Sequence, residues 1–211
     1  MNAAATTLLV VAIVFAATDW IAVARGNRRL EYVAKPGATL ALMGVAASLD
    51  AADGDTQVVF VVALLASLAG DVFLMLPGDR FIPGLASFFV AQVLYAIGFA
   101  LHGDDTSAYI IGALVATVIV TPLAIRFVRA LRASDRDSLV MPVVAYMGAI
   151  SVMLLSAIAS GNVFAIVGAL AFVASDALIA ETRFVQPRDW GPVTIMVTYH
   201  VALLGLVLSL L

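Results

Sequence analysis

The sequence predicts an all-α membrane protein, a bundle of eight transmembrane helices with both termini on the extracytoplasmic side. Three observations support this fold class, and the first is composition. Of the 211 residues, 64% are hydrophobic and 12% are charged, and the mean hydropathy is +1.11. A soluble domain is about 45–50% apolar and about 25% charged, so this chain has half the charge needed to cover a water-facing surface. The same apolar excess excludes an intrinsically disordered chain.

The second observation is the alternation of long apolar segments with short polar breaks. A helix that crosses a bilayer needs about 20 apolar residues, so eight of them use about 160 residues and leave no room for a soluble domain. We therefore predict a single transmembrane domain over residues 1–211. Its spans are expected at about 7–24, 34–49, 58–76, 81–101, 107–125, 139–158, 162–180 and 191–211.

The third observation is the distribution of charge between alternate breaks. The basic side contains Arg25, Arg28, Arg29, Lys35, Arg80, Arg126, Arg129, Arg132, Arg136, Arg183 and Arg188, which are all 11 basic residues. The opposite side contains Asp50, Asp53, Asp55, Asp104 and Asp105. Because positively charged loops stay in the cytoplasm, we expect both termini outside and a multi-pass protein of a plasma membrane of the bacterial inner-membrane type.

Several kinds of chemistry are excluded by residues that the sequence lacks. It has no cysteine, which excludes disulfides, thiolate metal sites and a cysteine nucleophile. The two histidines, His102 and His200, cannot form a three-histidine zinc site, and no G-x-S-x-G elbow of a serine hydrolase is present. The net charge of −3, without a basic run, predicts no nucleic-acid partner. We also expect no metal, no cofactor and no obligate protein partner.

Three aspartates lie inside the apolar segments. An aspartate near the centre of a spanning helix costs about 2.5–3.5 kcal/mol on insertion scales, so such residues usually face the bundle interior and mark function. At a rise of 1.5 Å per residue, Asp19, Asp71 and Asp176 all lie about 6–8 Å from the cytoplasmic ends of their spans. We predict that Asp71 and Asp176 meet in one pocket as a functional pair. Asp19 is a candidate supporting residue, although solvation at the membrane interface would also explain it.

Other polar side chains can reach the same layer of the bundle. Each has a structural explanation as well, such as packing, interhelical hydrogen bonding or, for the lysine, extension towards the interface. The candidates for substrate binding or support of the aspartate pair are Lys35, Gln92, Tyr95, Tyr146, Tyr199 and His200.

The chemistry of the buried acids leaves several functions open. Two carboxyl groups in a low-dielectric site do not both ionise easily, so one residue type can supply an acid and a base. Such a pair suits hydrolysis of an acid-labile C–O bond, and it also suits proton relay in a transporter of a lipid or small anion. A purely structural membrane protein and a metal-dependent lipid hydrolase that uses His200 are further alternatives.

Five short strings in the predicted spans carry a resemblance to a known family. They are Lys35-Pro36, Gly70-Asp71-Val-Phe-Leu74, Phe88 to Tyr95, Pro142 to Met147 and Ser175-Asp176-Ala-Leu-Ile-Ala180. Together they resemble the YhhN-like lysoplasmalogenases, which are eight-span integral membrane hydrolases, and the resemblance runs over nearly the whole chain. It departs at Gln92, where the family often has histidine, and a glutamine cannot carry a proton at neutral pH.

The resemblance implies a specific reaction on a lysophospholipid substrate within the membrane. It implies cleavage of the vinyl-ether bond of a lysoplasmalogen to a fatty aldehyde and glycerophosphoethanolamine or glycerophosphocholine. Asp71 and Asp176, carried over from the family's motifs, would be the catalytic pair. The sequence does not assign the acid and the base between them.

Overall fold

A computed structural model describes residues 1–51, 53–101 and 106–211, and the regular structure in these ranges is helical. His102 and the loop aspartates Asp104 and Asp105 lie outside the described residues. The α-helices are α1 (Ala3–Ala24), α2 (Arg28–Ser48), α3 (Gly54–Met75), α4 (Phe81–Ala100), α5 (Thr106–Ala133), α6 (Val140–Ala159), α7 (Val163–Ala180) and α8 (Gly191–Leu208). A 3₁₀ turn, Asp137–Leu139, precedes α6, and a π-helical turn, Glu181–Val185, follows α7.

Seven of the described helices are long and apolar enough to cross a membrane, and α2 is the one that does not meet this criterion. Large apolar side chains also cover the outside of the bundle; Val118 of α5, for example, is 73% exposed. A soluble monomer rarely exposes apolar patches of this kind. The prediction of an all-α, multi-pass membrane protein is therefore confirmed, whereas the eighth span and the orientation of the termini stay predictions.

Two helices extend clearly beyond the segments predicted from apolar content. The helix α2 begins at Arg28 rather than near residue 34, because the side chain of Asn27 accepts a hydrogen bond from the backbone N–H of Leu30 and starts the helix in the polar loop. Its polar first turns also explain why it falls below the criterion for a span. The helix α5 continues past residue 125 to Ala133, so its basic last turns extend beyond the apolar segment.

Helices that follow one another in the chain pack as antiparallel pairs. The closest pairs are α1 with α2, α3 with α4, α5 with α6 and α7 with α8. The last helix, α8, also packs against α1 and α2, and α4 packs against α6. This arrangement brings α2, α3 and α8 together on one side of the interior and α4, α6 and α7 together on the other.

Small residues bring the backbones of α7 and α8 into direct contact. A Cβ atom added to Gly168 would lie 2.7 Å from the backbone nitrogen of Leu206, and one added to Gly205 would lie 2.7 Å from the Cα atom of Gly168. Close approach at small residues is how helices associate in membranes. This crossing fixes α7, which carries Asp176, against α8, which carries Tyr199 and His200.

Candidate active site

Asp71 of α3 is fully buried and lies at the junction of three helices. Its Oδ1 atom is 3.2 Å from Nζ of Lys35 on α2. Its Oδ2 atom accepts hydrogen bonds from Oγ1 of Thr39 and from the hydroxyl of Tyr199 on α8, both at 2.8 Å. Lys35 and Thr39 are four residues apart, so they lie on the same face of α2. An ammonium and two hydroxyl donors favour the charged form of this carboxyl, because a buried charge is tolerated only when it is paired and hydrogen-bonded.

Asp176 of α7 has a different environment, with a single described hydrogen-bond donor. The hydroxyl of Tyr146 on α6 donates to its Oδ2 atom at 2.5 Å. That hydroxyl in turn accepts a hydrogen bond of 3.4 Å from Nε2 of Gln92 on α4. Gln92 is fully buried, and its Oε1 atom has no hydrogen-bond partner within the described ranges. These contacts form a short chain, Gln92 to Tyr146 to Asp176, that connects three helices.

A small apolar cavity lies beside Asp176. It encloses about 40 Å³, and its walls include Leu85, Phe88, Met147, Phe184 and the side chains of Tyr146 and Asp176. A site of this volume holds about three groups of the size of a water or a methylene. Asp176 thus borders space for part of a reactant, whereas Asp71 does not line this cavity.

An ion pair lies next to the aromatic wall of this cavity. Arg183 donates to both carboxylate oxygens of Asp79, at 2.6 and 2.9 Å, and its guanidinium lies 4.2 Å from the ring centroid of Phe81, which lines the cavity. The Arg183 guanidinium lowers the pKa of the Asp79 carboxyl below its usual value. The pair therefore persists at neutral and mildly acidic pH, and it is lost only as the pH falls through that lowered value.

The ring of Phe88 lies between the two aspartates. It packs so closely on α3 that a Cβ atom added to Gly70, the residue before Asp71, would lie 2.6 Å from it. It contacts the ring of Tyr199 edge-on, with centroids 5.8 Å apart, and it also lines the cavity beside Asp176. No hydrogen bond joins the two carboxyl groups in the described structure, so each aspartate has its own set of partners on either side of this ring.

The remaining candidates surround the Asp71 side of the site. Tyr95 is fully buried, and the hydroxyl has no hydrogen-bond partner among the described residues. His200 accepts a hydrogen bond of 3.0 Å at Nδ1 from the indole N–H of Trp20. Asp19 is fully buried, and neither of its oxygens has a hydrogen-bond partner in the described parts of the chain.

Sequence reasoning missed two contributors to this region, Thr39 and Trp20. A signal for Thr39 exists, because a hydroxyl four residues after a lysine shares its helix face. No signal in the sequence indicates that Trp20 reaches a histidine 180 residues away. Within the described residues, no group of three or more His, Cys, Asp or Glu side chains is arranged to hold a metal ion.

Comparisons with known proteins agree with the resemblance that the sequence motifs carry. The model of the YhhN family matches residues 30–210. The human protein named lysoplasmalogenase TMEM86B is 33% identical over 149 residues, which are 71% of this chain. The matched region spans 62% of the human protein, less than two thirds of its length. No solved structure matches the chain.

Proposed function

The chain belongs to the YhhN family, and we propose that it is an intramembrane hydrolase that cleaves the vinyl-ether bond of lysoplasmalogen. The products would be a fatty aldehyde and glycerophosphoethanolamine or glycerophosphocholine. The name of the human relative supports this reaction. The single observation that carries the proposal is the presence of two inward-facing carboxyl groups in different settings, one paired with Lys35 and the other beside an apolar cavity.

The different settings of the two carboxyl groups support different roles for them. Asp71 faces an ammonium and two hydroxyl donors, so it acts as the ionised group. Asp176 borders an apolar cavity and has one hydroxyl partner, so its neutral, protonated form is the less costly one to bury. We therefore assign the proton donor to Asp176 and the permanent negative charge to Asp71, with Tyr146 and Gln92 orienting the donor.

Hydrolysis then proceeds by general acid catalysis. Asp176 transfers its proton to the vinyl carbon that is not bonded to oxygen, and the carbon bonded to the ether oxygen becomes an oxocarbenium ion. Water adds to that carbon and returns a proton to Asp176, which gives a hemiacetal. The hemiacetal hydroxyl loses its proton as the C–O bond to glycerol breaks and the glycerol oxygen gains one. One water is consumed. The carboxylate left on Asp176 faces the cationic intermediate directly, and the negative charge of Asp71, on the other side of Phe88, adds to its stabilisation.

The surroundings of the cavity fit a lipid with a charged head group. Phe81, Phe88 and Phe184 provide an apolar wall for the alkenyl chain. The guanidinium of Arg183 lies against the ring of Phe81, and guanidinium groups pair well with phosphate oxygens. We propose that the phosphate of the substrate lies towards Arg183, where it competes with Asp79 for the guanidinium.

We also propose that residues 1–211 form one transmembrane domain of eight spans, with both termini outside, in a plasma membrane. The side chain of Asn2, which caps the start of α1, donates to the carbonyl of Ser48 at the end of α2. The two helices have 22 and 21 residues, and so both reach about 32 Å. This equal reach supports α2 as a span despite its polar first turns.

Product analysis by mass spectrometry tests the proposed reaction. Purified protein is incubated with a lysoplasmalogen and, separately, with the ordinary acyl lysophospholipid of the same head group. We expect fatty aldehyde from the first lipid and no product from the second. Fatty acid from the second lipid would contradict the assignment. Transport of a lipid or small anion in sealed vesicles without any product would favour the proton-coupled transporter instead.

A further inference from the structure

A second apolar cavity, separate from the one beside Asp176, lies between α1, α2 and α8. This cavity, which we call the α1–α8 slot, encloses about 70 Å³. Its walls include Leu9, Ile13, Trp20, Leu42 and His200, and none of its described lining residues is charged. Ile13 is 53% exposed on the outside of the bundle, so the slot lies beside the lipid. Its volume holds about five groups of the size of a methylene.

His200, which lines the slot, has one ring nitrogen without a hydrogen-bond partner among the described residues. An indole N–H can only donate, so the nitrogen that accepts from Trp20, Nδ1 of His200, carries no proton. The neutral imidazole then carries its proton on Nε2. His200 is 4% exposed, and its Nε2 atom has no hydrogen-bond partner among the described residues. A buried donor without a partner is costly, which favours a ligand that brings an acceptor.

The slot begins next to the Asp71 side of the candidate active site. Tyr199, whose hydroxyl donates to Asp71, precedes His200 on α8, and the two ring centroids are 5.6 Å apart. A molecule that leaves the neighbourhood of Asp71 towards the lipid would therefore pass the imidazole of His200 in an apolar setting.

We infer that the α1–α8 slot binds the fatty aldehyde that the proposed hydrolysis releases, an inference that rests on the proposed function. The aldehyde oxygen accepts a hydrogen bond from Nε2 of His200, the first few carbons fill the slot, and the rest of the chain extends along Ile13 into the lipid. A fatty carboxylate fits poorly, because no cation lines the slot to pair with it. An alkane fits poorly as well, because it leaves the imidazole N–H without an acceptor.

The fluorescence of Trp20 tests this inference directly. Trp20 and Trp190 are the two tryptophans of the sequence, so a Trp190→Phe chain in lipid nanodiscs reports on the slot alone. Tetradecanal is titrated against tetradecane and tetradecanoate. We expect saturable quenching or a spectral shift with the aldehyde, and no saturable response with the other two. An equal response to tetradecane would overturn the inference, because it would reflect simple partition into the lipid.

Substitutions in the slot give a second test. His200→Leu removes the donor, and we expect an apparent Kd for tetradecanal about tenfold higher, as for the loss of one hydrogen bond. Ile13→Phe narrows the slot and should also weaken binding. Val14→Phe, a neighbouring exposed position that does not line the slot, is the matched control and should bind as before. Unchanged binding in both His200→Leu and Ile13→Phe would overturn the inference.

Hydrolysis of lysoplasmalogen by the same preparation separates this inference from the proposed function. Hydrolysis without saturable aldehyde binding would contradict the slot and leave the function intact. Aldehyde binding without hydrolysis would contradict the proposed function and leave the binding site intact.

Discussion

Asp71 and Asp176 are the same residue type, and their partners make them chemically different. Asp71 lies against the ammonium of Lys35 and two hydroxyl groups in a fully buried position. Asp176 lies against one hydroxyl, that of Tyr146, and a cavity with apolar walls. Two carboxyl groups whose surroundings favour opposite protonation states are the usual source of an acid and an anion in one site.

The buried pair of Lys35 and Asp71 leads to a prediction about stability and activity together. Asp71→Asn leaves Lys35 as a buried charge without its carboxylate, and breaking such a pair costs about 3–5 kcal/mol. We expect the single variant to be inactive and poorly folded. The double variant Lys35→Met with Asp71→Asn has no buried unpaired charge, so it should regain thermal stability in detergent while it remains inactive.

Asp55→Asn is the matched control, because Asp55 is an exposed aspartate in the first turn of the same helix. It should retain both stability and aldehyde release. Aldehyde release by the folded double variant would remove Asp71 from the mechanism.

At the scale of the helices, the crossing of α7 and α8 positions Asp176 relative to Tyr199 in the candidate active site. The backbones touch at Gly168 and Gly205, where an added Cβ atom on either residue would overlap the other helix. Asp176 follows Gly168 by two helical turns, and Tyr199 precedes Gly205 by less than two. The distance between Asp176 on α7 and Tyr199 on α8, which lie on either side of Phe88, therefore depends on how closely these two helices approach.

Gly168→Ala tests the importance of this crossing. The added methyl group meets backbone atoms that cannot move independently, so we expect a loss of about 1–3 kcal/mol in the free energy of unfolding. Gly148→Ala in α6 is the matched control, because a Cβ atom there would meet nothing within 4 Å. That variant should be neutral or slightly more stable, since alanine is the better helix former. Equal thermal stability of the two variants would contradict the close crossing.

At the scale of the whole molecule, polar contacts connect the helices at both ends of the bundle. At the acidic end, Asn162 caps the start of α7 and donates to the carbonyl of Ser209 after α8. At the basic end, Arg126 forms a bidentate ion pair with Glu181. Arg183 donates to both carboxylate oxygens of Asp79. The basic end thus holds its loops in a defined arrangement, and from the positive-inside rule we expect this end on the cytoplasmic side.

Because the sequence has no cysteine, single introduced cysteines can test this orientation. We expect a membrane-impermeant maleimide added to intact cells to label Asp55→Cys at the acidic end. Arg132→Cys, near the basic end of α5, should be labelled only after the membrane is opened. The opposite labelling pattern would show that the orientation is inverted.

The sequence was sufficient to predict the helical membrane fold, because apolar segment length and low charge follow from the bilayer alone. It was also sufficient to identify Asp19 and Asp71 as buried carboxyl groups, because a lone acid in lipid is too costly to keep without a partner. The partners of each carboxyl depend on which helices touch, and helix adjacency is not encoded in local periodicity. The separation of Asp71 and Asp176 by Phe88 and the contact of Trp20 with His200 became visible only in three dimensions.

Carbon protonation is the central claim of the proposed mechanism, and hydrolysis in D₂O tests it most directly. The aldehyde is reduced to the alcohol as it forms, so that it cannot exchange with solvent, and its mass and deuterium position are measured. Proton transfer from Asp176 to the vinyl carbon predicts a single solvent deuterium on the carbon next to the carbonyl. Aldehyde released without deuterium at that carbon would contradict the mechanism.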